Sequence, residues 1–95
     1  MNKYAHLNKP QKQIDLHKLT RAEALFVVAD FLGKCQHEGV ERVLIITGKG
    51  RHSAQGEAIL RPVIEQYLRT RNLNFQDAKP AQGGAGALFV RLTKN

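Results

Sequence analysis

The sequence predicts an α/β domain in which four strands and two helices follow in the order βαβαββ, as a mixed four-stranded sheet with both helices on one face. Three stretches carry that prediction. Val43-Leu44-Ile45-Ile46 is a run of large apolar residues, three of them β-branched. It reads as a short strand buried on both faces, hence a central one. Ala22, Leu25, Phe26, Ala29, Leu32 and Cys35 recur at steps of three and four, the spacing of one helix face. From Ala87 to Leu92 the pattern alternates: Leu88, Val90 and Leu92 fall on one side, Ala87, Phe89 and Arg91 on the other.

Ninety-five residues make one domain with one modest core, stable by roughly 5–10 kcal/mol. Apolar residues are 42% and charged residues 24% of the chain, a balance that argues against wholesale disorder. Fifteen Lys and Arg against eight Asp and Glu give a net charge of +7, which favours polyanionic partners, nucleic acid first. Cys35 is the single cysteine, so neither an intrachain disulfide nor a thiolate metal cluster can form. No apolar run reaches the length of a membrane span and the N-terminus lacks a secretory signal, so the expected compartment is the cytoplasm.

The elements follow in order. Residues 1–13 are polar and basic, with Lys3, Lys9, Lys12 and Pro10, and read as a flexible arm ahead of a domain over 14–92. Ile14-Asp15-Leu16-His17 reads as the first strand, Ile14 and Leu16 facing a core and Asp15 and His17 sharing the other face. Thr20 and Glu23 fit a capping box at the start of the first helix, and Gly39 stands where that helix needs a left-handed residue to end. The second helix is expected from about Ala58 to Arg71, because Pro62 is tolerated only in a first turn. Its inner face would hold Leu60, Val63, Ile64, Tyr67 and Leu68. Asn72 opens a turn, Leu73 to Ala78 forms a third strand, and a loop over 79–86 with Pro80 and three glycines leads into the last.

Two βαβ crossovers make the first three strands run one way, and the last strand returns antiparallel to the third. Asp15 and His17, the turn Thr47-Gly48-Lys49-Gly50-Arg51-His52, the loop Gly83-Gly84-Ala85-Gly86 and both helix N-termini then share one edge. In open α/β sheets that edge is where ligands bind. Glycines at the exit of a buried strand turn the chain tightly and let its amides approach a ligand. Lys49, Arg51 and Arg61 make that ligand an anion. Each motif also has a plainer reading: a turn that needs glycine, or an Asp15 that anchors loop amides. Their convergence on one basic edge favours function.

Two nucleotide motifs are excluded. A phosphate-binding P-loop needs glycine five residues before Gly-Lys and Ser or Thr after it; here Val43 and Gly50 stand there, so no nucleoside triphosphate is expected. The glycines at 84 and 86 precede a strand, where a dinucleotide fingerprint needs a helix and a third glycine at Phe89.

Ile14-Asp15-Leu16-His17, Thr47-Gly48-Lys49-Gly50 and Gly83-Gly84-Ala85-Gly86-Ala87-Leu88, in this order and spacing, resemble the three motifs of the Smr (small MutS-related) domain. The likeness covers Ile14 to Leu92 and is greatest to stand-alone bacterial members. It implies a two-layer α/β sandwich like the C-terminal domain of translation initiation factor three, DNA or RNA as partner, and nicking or endonuclease activity in a number of members. Two positions depart from the pattern: Lys18 where glycine usually follows the His, and Thr47 where His often opens the second motif.

The mechanism expected on that basis is cleavage of a phosphodiester. Asp15 would orient or deprotonate the attacking hydroxyl or hold one divalent cation, Mg²⁺ or Mn²⁺, with His17 as acid–base partner. Thr47, Gly48, Lys49, Gly50, Arg51, His52, Arg61, Gly83, Gly84 and Gly86 would form the phosphate-binding surface. The alternatives are a DNA- or RNA-binding module without catalysis, in which Phe89 stacks on a base or stays in the core, and an adaptor for an acidic protein.

Overall fold

A computed structural model of the chain describes residues 9–48, 55–82 and 84–92. The elements are β1 (Lys12–Asp15), α1 (Arg21–His37), β2 (Arg42–Ile46), α2 (Gln55–Thr70), β3 (Asn74–Asp77) and β4 (Ala87–Arg91). Two single 3-10 turns, Pro80–Gln82 and Gly84–Gly86, lie between β3 and β4. The order is therefore βαβαββ, in two layers. Among the described residues no helix is long and apolar enough to cross a membrane.

The sheet order is β1-β2-β4-β3, so β4 inserts between β2 and β3. β1 pairs with β2 in parallel, and β4 runs antiparallel to both its neighbours. The first three strands thus share one direction, as expected. Their order is new information, because alternation in a sequence tells which face a residue takes and not which strand lies beside it.

One face of the sheet carries the main core. Val43, Ile45, Leu88 and Val90 meet Val28, Leu32 and Cys35 of α1 and Leu60, Ile64 and Leu68 of α2. Both helices therefore pack on this face. The opposite, outer face holds a small cluster of Leu44, Ala78 and Ala87 with Ile46 against it. The alternation expected in β4 is present, with Leu88, Val90 and Leu92 in the main core. Cys35 is a core residue at 3% exposure; burial is the chief reason its thiol pKa is raised.

The capping box at α1 forms as expected: the Glu23 amide donates to Thr20 Oγ1 at 3.1 Å and the Thr20 amide to Glu23 Oε1 at 2.9 Å. Gly39 ends the helix at φ +78, with the Val40 amide bonded back to the Cys35 carbonyl and the Gly39 amide to that of Gln36. α2 ends the same way on Asn72 at φ +57, the Leu73 amide reaching Leu68.

Three expectations need correction. The buried stripe of α1 is Ala24, Val28, Leu32 and Cys35; Ala22 and Ala29 are exposed and Phe26 is 75% exposed. Apolar residues occur all round this helix, and two stripes that share Leu32 and Cys35 satisfy the same spacing. α2 begins at Gln55, so Pro62 lies well inside it, and the carbonyl of Ala58 cannot receive the usual amide there. Leu60, Ile64 and Leu68, one and two turns apart, give the helix a fully buried stripe to hold it across that break. Finally, β1 starts at Lys12 and its hydrogen bonding at Gln11, inside the segment expected as an arm. The Gln11 side-chain oxygen accepts from the Glu41 and Arg42 amides and fastens the strand there.

Candidate functional site

The edge at which β1 and β2 end is held together by backbone bonds. The Leu16 amide donates to the Ile46 carbonyl at 2.8 Å, extending the β1–β2 pairing past Asp15. The Thr47 and Gly48 amides both donate to the Gly86 carbonyl, at 2.9 and 3.0 Å. One oxygen thereby ties the exit of β2 to the turn that feeds β4. The segments around 15–17, 47–48 and 84–86 are brought to one place by these bonds. Lys49, Gly50, Arg51, His52 and Gly83 lie outside the described residues.

Asp15 and His17 meet. Asp15 Oδ1 accepts from the His17 amide at 3.0 Å and lies 2.5 Å from Nδ1 of the ring. Leu16 between them is fully buried, a peg that fixes the turn. Both side chains of the pair are about half exposed, at 48% for Asp15 and 45% for His17. The carboxyl pKa responds to two opposed influences. Burial raises it, while the ring hydrogen bond, the amide hydrogen bond and the charge of His17 lower it; the net result lies below the ordinary value. Asp15 is thus an acceptor that claims Nδ1 and leaves Nε2 of His17 unclaimed by it.

Lys18 follows at φ +74, in the left-handed region. That explains why glycine suits this position: the chain must reverse within three residues to enter α1 at Thr20. Lys18 adopts the same backbone at a steric cost.

Several expected phosphate ligands have other duties. Thr47 has no exposed surface, and its hydroxyl lies 3.3 Å from the Gly48 carbonyl and 3.5 Å from that of Gly86. Its side chain is a clasp in the fold. Gly48 has φ +81 and Gly84 φ +54, as turns require, but both amides are engaged, Gly48 with Gly86 and Gly84 with the Lys79 carbonyl. These glycines shape the edge and do not offer their N–H groups to a ligand. Arg61 is ion-paired with Glu65 on its own helix and with Asp77 at the end of β3. A phosphate approaching it meets two carboxylates as well. Phe89 is 7% exposed, too little for a base to stack on its face.

A divalent cation finds few ligands here. Among the described residues no three of His, Cys, Asp and Glu are grouped to hold one. Asp15 offers one carboxylate with one oxygen already bonded to His17; an ion such as Mg²⁺ held there would complete its shell with water and substrate phosphate. Among the described residues Asp15 is the one carboxylate that these bonds place at the edge beside His17.

Reading the sequence missed the Gly86 carbonyl as the tie of the edge and Asp77 as the partner of Arg61. A charged pair sixteen residues apart has no period to reveal it. The conformation of Lys18 was legible only through the glycine that the resemblance places there.

The family model of the Smr domain matches residues 14–93. Endonuclease MutS2 of Thermus thermophilus is 36% identical over 90% of this chain and 11% of its own length. The crystal structure of its Smr domain superposes with a TM-score of 0.76 at 34% identity, covering 87% of this chain and 99% of that one. YdaL, a stand-alone small MutS-related protein from Escherichia coli, gives a TM-score of 0.81 at 26% identity over 99% of this chain and 79% of that one. The probable DNA endonuclease SmrA of Escherichia coli is 31% identical over 88% of this chain and 46% of its own length. The chain spans less than half the length of these curated relatives.

Proposed function

The chain belongs to the Smr domain family, and on that premise we propose that it is an endonuclease that cleaves DNA or RNA at the Asp15–His17 edge. Relatives named as endonucleases support the reaction class. The observation that carries the proposal is the bond from Asp15 Oδ1 to His17 Nδ1 at 2.5 Å. A carboxylate that binds one ring nitrogen fixes the imidazole's orientation and tautomer and leaves the other nitrogen to handle a proton, as in hydrolytic triads. Asp15 is then a positioning residue and His17 the catalytic one.

In the proposed step Nε2 of His17 takes the proton of the attacking hydroxyl, a water or an RNA 2′-OH, as its oxygen bonds to phosphorus. The bond from phosphorus to the leaving oxygen breaks, and that oxygen takes a proton from solvent. The basic residues Lys49 and Arg51 would hold the phosphate and offset the charge that builds on it. Each step uses only side chains of this chain and solvent.

The binding-only reading also has an observation in its favour. Where the family often has a His, this chain seals Thr47 inside the fold. End-labelled single- and double-stranded DNA and RNA, incubated with protein in Mg²⁺ and in EDTA, separate the readings. The expected result is cleavage of at least one substrate that persists in EDTA. Binding without cleavage in every arm would leave the non-catalytic module.

A further inference from the structure

The outer face of β3 and β4 carries a second arrangement, separate from the edge. Asn74 stands opposite Arg91 and Gln76 opposite Phe89 in the antiparallel pairing. Phe75, between the two amides, turns into the main core, so Asn74 and Gln76 rise together on the outer face. With the nearly buried Phe89 they line a recess of about 340 Å³ whose walls are Asn74, Gln76 and Arg91. All three side chains are exposed, and none of these side chains is hydrogen-bonded or ion-paired to another described residue. By contrast Arg42, Arg61 and Arg69 are each held by a carboxylate.

We propose that this recess is a base-reading subsite for single-stranded nucleic acid, in which Asn74, Gln76 and Arg91 bond the edge of one unpaired base. The inference rests on the nucleic-acid reading of the edge. Primary amides and a guanidinium each present two hydrogen-bonding groups in a plane, which matches the edge of a nucleobase, whereas a phosphate calls for cations. The shape selects the strandedness. A sheet face cannot enter a duplex groove as a helix or a two-stranded ribbon does, but an unstacked base can splay out onto it. The location is suitable too. Asp15, Ile46 and Ala87 lie in one row across the sheet, and Phe89 is two residues further along β4. Asp15 alternates with the inward Ile14 and so rises on this same outer face. Phe89 is then about 12 Å from Asp15 and the walls of the recess about 16–20 Å, a span of about two to three nucleotides for a strand crossing the face.

The test is fluorescence anisotropy with one oligonucleotide sequence presented as single strand, as duplex, and as single strands carrying one abasic residue at successive positions. Wild type is expected to prefer the single strand to the duplex, and an abasic residue at one position is expected to weaken binding about tenfold. The double variant Asn74→Ala/Gln76→Ala should lose a similar factor on the intact strand and nothing further on the abasic one. Its salt dependence should be unchanged, because no charge is removed. If wild type binds the single strand but no abasic position matters, the subsite is overturned while the nucleic-acid reading stands, and this arm needs no variant to fold. Binding to none of the oligonucleotides would overturn both.

Discussion

Lys18 illustrates how one backbone angle can separate a family pattern from its chemistry. At φ +74 a side chain is strained by about 1–2 kcal/mol, and glycine gives back about 0.5–1 kcal/mol of that through its greater freedom when unfolded. Lys18→Gly is therefore expected to stabilise the protein by about 0.5–1 kcal/mol, raising Tm by about 2–8 °C in a thermal melt. An unchanged or lower Tm would mean that the lysine side chain repays its strain. Asp15 next to it is set by hydrogen bonding. Since its folded pKa is lowered, the stability it contributes is fully present above the unfolded value of about 3.9 and is lost as pH falls through the lower folded value. At neutral pH the carboxylate that orients His17 is in place.

The elements show what a sequence discloses and what it withholds. Caps are local, so the Thr20–Glu23 box and the left-handed Gly39 could be read directly, while Asn72 was legible only as the opening of a turn. Faces of strands are periodic, so Leu88, Val90 and Leu92 were placed correctly. The inward stripe of α1 was misplaced because apolar residues surround the helix, and the start of α2 because Pro62 was trusted over the buried stripe that carries the helix past it. At the candidate site the meeting of Asp15 with His17 was legible from their spacing. What each glycine amide bonds was not, since those partners are carbonyls, which every residue has. Gly84 isolates the conformational part of this. A Cβ built there meets nothing within 4 Å, so Gly84→Ala should cost the left-handed strain less the entropy that glycine loses on folding, about 0.5–1 kcal/mol by chemical denaturation. A loss of several kcal/mol would show that the turn before β4 is packed more tightly than its surroundings indicate.

At the scale of the molecule, a net charge of +7 draws the chain to polyanions without saying where they sit. Many described cations are committed to carboxylates, among them Lys12, Lys34, Arg42, Arg61 and Arg69. Arg91, on the same outer face as Asp15, has no such partner among the described residues, and the proposed base-reading subsite uses it. In the proposed mechanism Asp15 acts on the chemistry by orienting His17, not by holding substrate. Asp15→Asn keeps the shape and removes the charge. The decisive measurement compares this variant with wild type for cleavage and for binding of the same labelled oligonucleotide, on protein whose fold is checked by circular dichroism. Cleavage at saturation should fall by about 10²–10⁴-fold while binding stays the same or tightens slightly, as a negative charge near phosphate is gone. Full cleavage by a well-folded Asp15→Asn protein would remove Asp15 from the mechanism.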